Sequence, residues 1–261
     1  MIIDAHCHVW PDQIASQVLA QRPAGLDPVA DGTLGGLARA LDSAGIDMAV
    51  CLAVASAPRH VARANEFIGG VDRTRFIPFG TVHPGLPAED NLRLLRDNGI
   101  RGVKLHPLFQ QLSLADPRVI DLLAALAEAG IVVITHAGSG GGAEANERGA
   151  PRHLRAVIDA LPDLNLIACH FGGYHRIEEA EQLVVGSPVV LETSWPPSLA
   201  DLDAARVSSI ITRHGTDRVV YGSDWPMTSQ AAEVAAIRAL GLSAADEEGV
   251  LGGNLSRLLG L

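Results

Sequence analysis

Short apolar runs rich in β-branched residues alternate along the chain with longer segments whose apolar residues recur at helical spacing. The runs predict eight strands, at 2–5, 48–54, 76–80, 101–105, 131–135, 164–169, 188–192 and 218–222. The longer segments predict eight helices, at about 34–44, 58–69, 88–98, 117–129, 151–160, 175–184, 200–214 and 229–240. Because strand and helix alternate throughout, the pattern predicts an α/β fold, a closed (β/α)₈ TIM barrel.

The start of the chain argues against the main alternative, an open doubly wound sheet. That fold usually carries a glycine-rich phosphate loop after its first strand, and here the position holds His6-Cys7-His8. The 261 residues show no long polar linker and no break in composition. They therefore predict a single domain spanning 1–261, with one or two short closing helices at its C-terminal end.

Composition supports an α/β interior and excludes two classes of partner. Hydrophobic residues make up 48% of the chain and aromatic residues only 4%, so the core must consist largely of Ala, Val, Ile and Leu. Twenty Lys and Arg stand against thirty Asp and Glu, and no basic cluster offsets the net charge of −10. We expect no nucleic-acid partner, and the lack of a bilayer-length apolar run predicts no membrane partner.

The three cysteines and the N-terminal segment predict the compartment. Cys7, Cys51 and Cys169 lie in or beside apolar runs, without the spacing of a zinc finger, so we expect buried, reduced thiols. The segment Met1-Ile2-Ile3-Asp4-Ala5-His6 lacks the basic start and apolar stretch of a signal peptide. These features predict a cytoplasmic protein.

Side chains suited to metal and proton chemistry stand where the predicted strands end. They are His6, His8, His83, Lys104, His106, His136, His170 and Asp224. In a (β/α)₈ barrel the carboxyl ends of the strands meet at one mouth, which is where such enzymes place their active sites. This clustering predicts a reactive centre at the mouth.

The spacing of the first two histidines adds a geometric argument. Residues two apart on a strand share a face, so the side chains of His6 and His8 can bind one ion together, while Cys7 faces the helix layer. Imidazole nitrogens and a carboxylate oxygen suit Zn²⁺ and neighbouring divalent ions. At most four protein ligands leave room for a water molecule, whose pKa such an ion lowers toward neutrality.

An ordered set of motifs, spread from end to end, connects the chain with a known family. The motifs are Asp4-Ala5-His6-Cys7-His8, Gly102-Val103-Lys104-Leu105-His106-Pro107, Thr135-His136, Cys169-His170-Phe171-Gly172-Gly173, Tyr221-Gly222-Ser223-Asp224-Trp225-Pro226 and Gly253-Asn254-Leu255-Ser256-Arg257-Leu258. With them the chain resembles the amidohydrolase superfamily, and within it the amidohydrolase-related branch that also contains aminocarboxymuconate-semialdehyde decarboxylase.

The resemblance implies a role for each matching residue. His6 and His8 would bind one divalent metal ion, with Zn²⁺ the first choice, and His136 would be the third imidazole ligand. Asp224 would either bind the ion or shuttle the proton of the bound water. His170 would polarise the substrate carbonyl or hold the water through a hydrogen bond.

Two further positions are assigned to substrate binding, and one of them has an alternative. Lys104 is carboxylated and bridges two metals in binuclear relatives, whereas the branch resembled here is generally mononuclear. We favour one metal, because the ligand set is complete without a bridge, and expect Lys104 and His106 to face a substrate carboxylate. Trp225, followed by Pro226, is predicted to form a pocket wall.

The sequence thus predicts a hydrolase that cleaves an amide, ester or lactone in a small molecule through a metal-activated water. Decarboxylation of an unsaturated or aromatic acid by the same residues is the alternative. Two others stay open, a metal-free lactonase and a non-catalytic metal-binding protein, although an acid–base pair such as His170 and Asp224 argues against the latter. The substrate and the oligomeric state stay open, with a homodimer the commonest soluble assembly.

Overall fold

Eight strands form the centre of the fold, and the computed structural model describes residues 1–22 and 26–261. The strands are β1 (Ile3–His8), β2 (Met48–Leu52), β3 (Phe76–Thr81), β4 (Gly102–Leu105), β5 (Val132–Thr135), β6 (Leu166–Ala168), β7 (Val190–Glu192) and β8 (Val219–Val220). They belong to one sheet in the order β1 to β8. This order, with helices between the strands, confirms the predicted (β/α)₈ fold class.

The helices include all those predicted and two that were not. They are α1 (Asp12–Leu19), α2 (Leu34–Ala44), α3 (Val61–Gly69), α4 (Ala88–Asp97), α5 (Pro117–Glu128), α6 (Ala143–Arg148), α7 (Pro151–Ala160), α8 (Ile177–Leu183), α9 (Ala204–His214), α10 (Gln230–Arg238), α11 (Ala244–Glu248) and α12 (Asn254–Leu259). The short helices α1 and α6 lie in segments left as loops by the apolar pattern. The predicted closing helices are α11 and α12.

Local signals in the sequence set several of the helix ends. Thr33 precedes α2, and its hydroxyl accepts a hydrogen bond from the Gly36 amide at 2.9 Å. The same helix ends at Gly45, whose φ of 65° is left-handed and suits a residue without a side chain. Asp116 caps α5 by accepting the Arg118 amide at 2.9 Å. Side-chain caps of this kind replace the hydrogen bonds that the first turn of a helix cannot make internally.

The strands are buried, and aliphatic side chains fill the interior. Ile3, Val103 and Ile134 have no exposed surface, as expected for strands covered by helices. Cys7, Cys51 and Cys169 are likewise buried, and none of them forms a disulfide in the described part of the chain, which agrees with the predicted reduced thiols. Burial raises the pKa of the Cys7 thiol well above its ordinary value, so that thiol stays protonated. Among the described residues, no helix is both long enough and apolar enough to cross a membrane.

The described residues divide into two compact units. Unit 1 comprises Met1–Cys51, Asp72–Ile77 and Glu192–Leu261, and unit 2 comprises Leu52–Val71 and Pro78–Leu191. In unit 1 the first strand pairs with the last, since the Ala5 amide donates to the Tyr221 carbonyl at 2.9 Å. In unit 2 strands β4, β5 and β6 run parallel in adjacent positions. The single domain expected from the sequence stays a prediction.

Candidate metal centre

Unit 1 brings three of the predicted metal ligands together at the ends of β1 and β8. The Nε2 atoms of His6 and His8 lie 3.1 Å apart. Asp224 Oδ1 lies 3.2 Å from His6 Nε2 and 3.4 Å from His8 Nε2. His6 is buried, whereas the side chains of His8 and Asp224 are each 13% exposed. The cluster is therefore held by the core on one side and open to small molecules on the other.

The spacing of these three atoms fits a divalent cation. Ligand atoms bound tetrahedrally at about 2.0–2.1 Å from Zn²⁺ lie roughly 3.3–3.4 Å from one another. The three observed separations, from 3.1 to 3.4 Å, agree with that geometry. Two imidazoles and one carboxylate are also a donor set that Zn²⁺ and its neighbours accept. Three ligands leave coordination positions for water or substrate.

A buried carboxylate, Asp4, shapes the segment that carries Asp224. Asp4 accepts the Ser223 amide at 3.0 Å, the Ser223 hydroxyl at 2.6 Å and the Gln230 side-chain amide at 2.7 Å. Burial raises the pKa of Asp4, and these hydrogen bonds oppose that rise. Asp224, the next residue, adopts a left-handed φ of 63°, which Asp tolerates better than most residues. Asp4 thus ties β1 to the ligand-bearing turn, although the sequence assigned it no role.

A second buried carboxylate, Glu192, contacts a ligand directly. Its Oε2 lies 3.0 Å from His6 Nδ1, and the side chain has no exposed surface. Ser194 donates to it twice, from its backbone amide and from its hydroxyl, the latter at 2.9 Å. The sequence prediction missed Glu192. The signal was nevertheless available, because Glu192 is a carboxylate at the end of a predicted strand, the rule that selected the other residues.

Unit 2 holds its own pair of imidazoles, at the ends of β5 and β6. His136 Nδ1 lies 3.1 Å from His170 Nε2, and His136 Nε2 lies 2.9 Å from the Ser139 carbonyl oxygen. A carbonyl oxygen only accepts, so Nε2 of His136 carries a hydrogen. In a neutral His136 the lone pair is then on Nδ1 and faces His170. The ring of His106 stacks on that of His136, with centroids 4.5 Å apart and planes within 5° of parallel.

The remaining predicted substrate residues have different surroundings. Lys104 on β4 is fully buried in unit 2, and its Nζ lies 3.1 Å from Cys169 Sγ. Phe109 is 47% exposed, and its ring meets the edge of His106 at a centroid distance of 5.3 Å. Trp225 is only 1% exposed in unit 1. The substrate-binding roles of Lys104, His106 and Trp225 stay predictions.

Comparison with known proteins identifies the family of the chain and solved structures with a similar fold. A family model described as amidohydrolase matches residues 3–261 of the chain. Comparison with curated proteins gives no match. The crystal structure of 5-carboxyvanillate decarboxylase from Sphingomonas paucimobilis is similar over 100% of this chain and 99% of its own, with a TM-score of 0.76 and 16% identity.

Two further solved structures share the fold. One is a probable 2-pyrone-4,6-dicarboxylic acid hydrolase from Acinetobacter baumannii, with citric acid bound, at a TM-score of 0.69 and 18% identity over 100% of this chain and 99% of that one. The other is a dihydroxybenzoic acid decarboxylase from Polaromonas sp. JS666, with bound manganese and an inhibitor. Its TM-score is 0.73 at 15% identity, over 100% of this chain and 97% of that one. At such low identity these likenesses show a shared fold.

Proposed function

The chain belongs to the amidohydrolase family, as its motifs predicted, and on that premise we propose that it hydrolyses an amide, ester or lactone in a small molecule with one divalent metal ion. The observation that carries this proposal is the convergence of His6 Nε2, His8 Nε2 and Asp224 Oδ1 in unit 1. Zn²⁺ is the ion we propose first, because two imidazoles and a carboxylate suit it.

Three residues of unit 1, His6, His8 and Asp224, would hold the ion. The third imidazole ligand implied by the resemblance, His136, stays a prediction. When bound, a divalent ion supplies Lewis acidity and lowers the pKa of water toward neutrality. Asp224 is 13% exposed, so its carboxylate is within reach of a small molecule. We assign to it the transfer of the proton, from the attacking water to the leaving atom of the substrate.

The role proposed for His170 rests on the resemblance and on the hydrogen that its Nε2 can carry in unit 2. Its Nε2 lies 3.1 Å from His136 Nδ1, where a neutral His136 presents a lone pair. A hydrogen on His170 Nε2 satisfies that contact. The same hydrogen is the one His170 would offer to a substrate carbonyl oxygen or to water when it turns from His136 to a ligand.

A second candidate function is non-oxidative decarboxylation of a small unsaturated or aromatic carboxylic acid. Two observations favour it, namely the likeness to two solved decarboxylases and the buried ammonium of Lys104 in unit 2. A buried cation suits a substrate carboxylate. In this reaction the carbon–carbon bond to the carboxylate breaks, CO₂ leaves, and a proton delivered by His170 or Asp224 replaces it on carbon.

One assay separates the two functions. Protein loaded with Zn²⁺ or with Mn²⁺ is incubated in ¹⁸O-labelled water with a panel of lactones, esters and amides, and in parallel with unsaturated and aromatic acids. Hydrolysis is scored by ¹⁸O in the product, and decarboxylation by released CO₂. We expect labelled hydrolysis products that depend on added metal and disappear with Asp224→Ala. Release of CO₂ without any hydrolysis would overturn the hydrolase in favour of the second candidate.

A further inference from the structure

Glu192 has a contact that the proposed reaction does not use. Its carboxylate is buried in unit 1 and lies 3.0 Å from Nδ1 of His6, on the side of the ring away from the other ligands. We propose that Glu192 is a positioning residue, which holds His6 in the tautomer that presents Nε2 to the ion and so sets the metal affinity. This inference rests on the metal site of the proposed function.

The hydrogen-bond pattern determines which nitrogen of His6 carries the hydrogen. An ionised carboxylate only accepts hydrogen bonds, so the contact with Glu192 Oε2 places the hydrogen on His6 Nδ1. A neutral ring then keeps its lone pair on Nε2. That atom is the one that lies 3.1 Å from His8 Nε2 and 3.2 Å from Asp224 Oδ1. Ordinary free histidine has no such restriction, because either nitrogen can hold the hydrogen.

Ser194 holds the carboxylate of Glu192 in place with two hydrogen bonds. Its hydroxyl donates to Oε2 at 2.9 Å and its backbone amide donates to Oε1, so both carboxylate oxygens already accept hydrogen bonds without His6. Such donors stabilise the charge of a buried carboxylate. They also hold both carboxylate oxygens beside the imidazole. Glu192 is therefore held in place before any ion binds.

The backbone before Asp224 makes room for the same carboxylate. A Cβ added to Gly222 would lie 2.3 Å from Glu192 Oε1 and 2.7 Å from its Cδ, far inside van der Waals contact. Gly222 does not have a positive φ, so space rather than backbone conformation requires a glycine here. Its amide donates to Thr193 Oγ1 at 3.3 Å. The turn that carries Asp224 is thus built around Glu192, which is an observation independent of the His6 contact.

Unit 1 contains a natural control for the experiment. Glu233 on α10 is also buried, with 1% of its surface exposed, and it also accepts a serine hydroxyl, from Ser198 at 3.3 Å, and a backbone amide, from Leu199 at 3.1 Å. It differs from Glu192 in that its described contacts include no imidazole. Glu233→Gln therefore reports what the loss of a buried, serine-bonded carboxylate does by itself.

The test measures two quantities for wild type, Glu192→Gln, Glu192→Ala and Glu233→Gln. The first is the dissociation constant for Zn²⁺, from competition with a chromophoric chelator. The second is the tautomer of His6 in metal-free protein, from ¹⁵N chemical shifts of labelled histidine. We expect affinity to fall about 10-fold in Glu192→Gln, which keeps an acceptor but loses the charge, and about 100-fold in Glu192→Ala. Glu233→Gln should stay within about 2-fold of wild type.

The tautomer readout distinguishes positioning from a general loss of structure. Wild-type His6 should carry its hydrogen on Nδ1, and Glu192→Ala should give a mixture of both tautomers. Gly222→Ala, which displaces the carboxylate without removing it, should weaken Zn²⁺ binding in the same direction. Gly35→Ala in α2 is its control, because an added Cβ there meets only ordinary contacts at 3.5 Å and beyond. Melting curves establish that each variant is folded.

The outcomes separate this inference from the proposed function. If wild type binds Zn²⁺ and both Glu192 variants bind it as tightly as Glu233→Gln, the positioning role is wrong and the metal site stands. An Nδ1-bound hydrogen that persists fully in Glu192→Ala overturns it equally. If wild type itself binds no divalent ion, the proposed metal site fails first, and the role of Glu192 fails with it.

Discussion

The imidazoles of unit 1 and those of unit 2 have different hydrogen-bond partners. In unit 1 two carboxylates, Glu192 and Asp224, flank His6, at 3.0 and 3.2 Å from its two ring nitrogens. In unit 2 a neutral oxygen, the Ser139 carbonyl, and the imidazole of His170 lie against the two ring nitrogens of His136. The charged side chain described at the strand ends of unit 2 is the buried Lys104, whose Nζ lies 3.1 Å from Cys169 Sγ.

This difference indicates what each cluster binds. Carboxylates beside imidazoles raise the basicity of the ring nitrogens and attract a cation. A buried ammonium such as that of Lys104, by contrast, repels a cation and favours an oxygen anion. We infer that the cluster of unit 1 suits a cation and that the buried Lys104 of unit 2 suits an oxygen anion. Two substitutions test this division, and a third concerns a buried carboxylate within unit 1.

The largest effect is expected from Asp224→Ala in the cluster of unit 1. The change removes a proposed metal ligand that is also the proposed proton carrier, so activity should fall by roughly 100- to 10,000-fold. Zn²⁺ content, measured by elemental analysis after dialysis, should fall in parallel. Asp217→Ala is the matched control, because that side chain is 66% exposed and pairs only loosely with Arg218 at 3.7 Å. Full metal content with undiminished turnover in Asp224→Ala would show that Asp224 is neither a metal ligand nor the proton carrier.

Much of the fold that carries Asp224 could be predicted from the sequence. Strands covered by helices are apolar, and the eight apolar runs correspond to the eight strands. Their ends were less accurate, because β1 continues to His8 where the apolar run stops at Ala5. A polar histidine ends an apolar pattern without ending a strand. Helix α6 was not predicted, because the glycines from Gly138 to Gly142 indicated a loop. Its six residues are also too few to show a helical period.

Which residues form the site stays a prediction, and the contacts that support those residues were not predicted from the sequence. Strand periodicity pairs His6 with His8, because the rule needs only two neighbouring residues. The contact of His6 with Glu192 joins positions 186 residues apart, and that of Asp4 with Ser223 joins positions 219 apart. Such contacts depend on which distant segments of the chain pack against β1, and no local pattern contains that information. The left-handed backbone of Asp224 is likewise a product of the turn around it.

An intermediate effect is expected from Lys104→Met, which removes the buried charge of unit 2. Loss of a charged hydrogen bond to a substrate carboxylate should raise KM about 10- to 100-fold, with Zn²⁺ content unchanged. The melting temperature should hold or rise, because an apolar side chain of similar volume replaces a buried ammonium. A neutral substrate analogue should show no such change in KM. Loss of the metal from Lys104→Met would contradict the division and assign Lys104 to the ion instead.

The smallest expected effect is on the free energy of unfolding. It concerns Glu233, a buried carboxylate of unit 1 whose described contacts, unlike those of Glu192, include no imidazole. Burial raises the pKa of Glu233 to about 7 from 4.5, although the Leu199 amide and the Ser198 hydroxyl oppose the rise. The folded protein therefore binds a proton more tightly than the unfolded chain does. The stability that this carboxyl contributes is fully present below about pH 4.5 and is lost as the pH rises to about 7.

Glu233→Gln stays neutral throughout and should escape this loss. In urea unfolding of metal-free protein, the variant should gain about 1 to 2 kcal/mol on wild type between pH 5 and pH 8. The direction follows from the sign of the pKa shift, since wild type must ionise a buried acid over that range and the variant has none. Stability curves that run parallel from pH 5 to pH 8 would show that Glu233 titrates like an exposed acid. In that case the hydrogen bonds from Ser198 and Leu199 would offset the cost of burying the Glu233 carboxylate, without help from an imidazole.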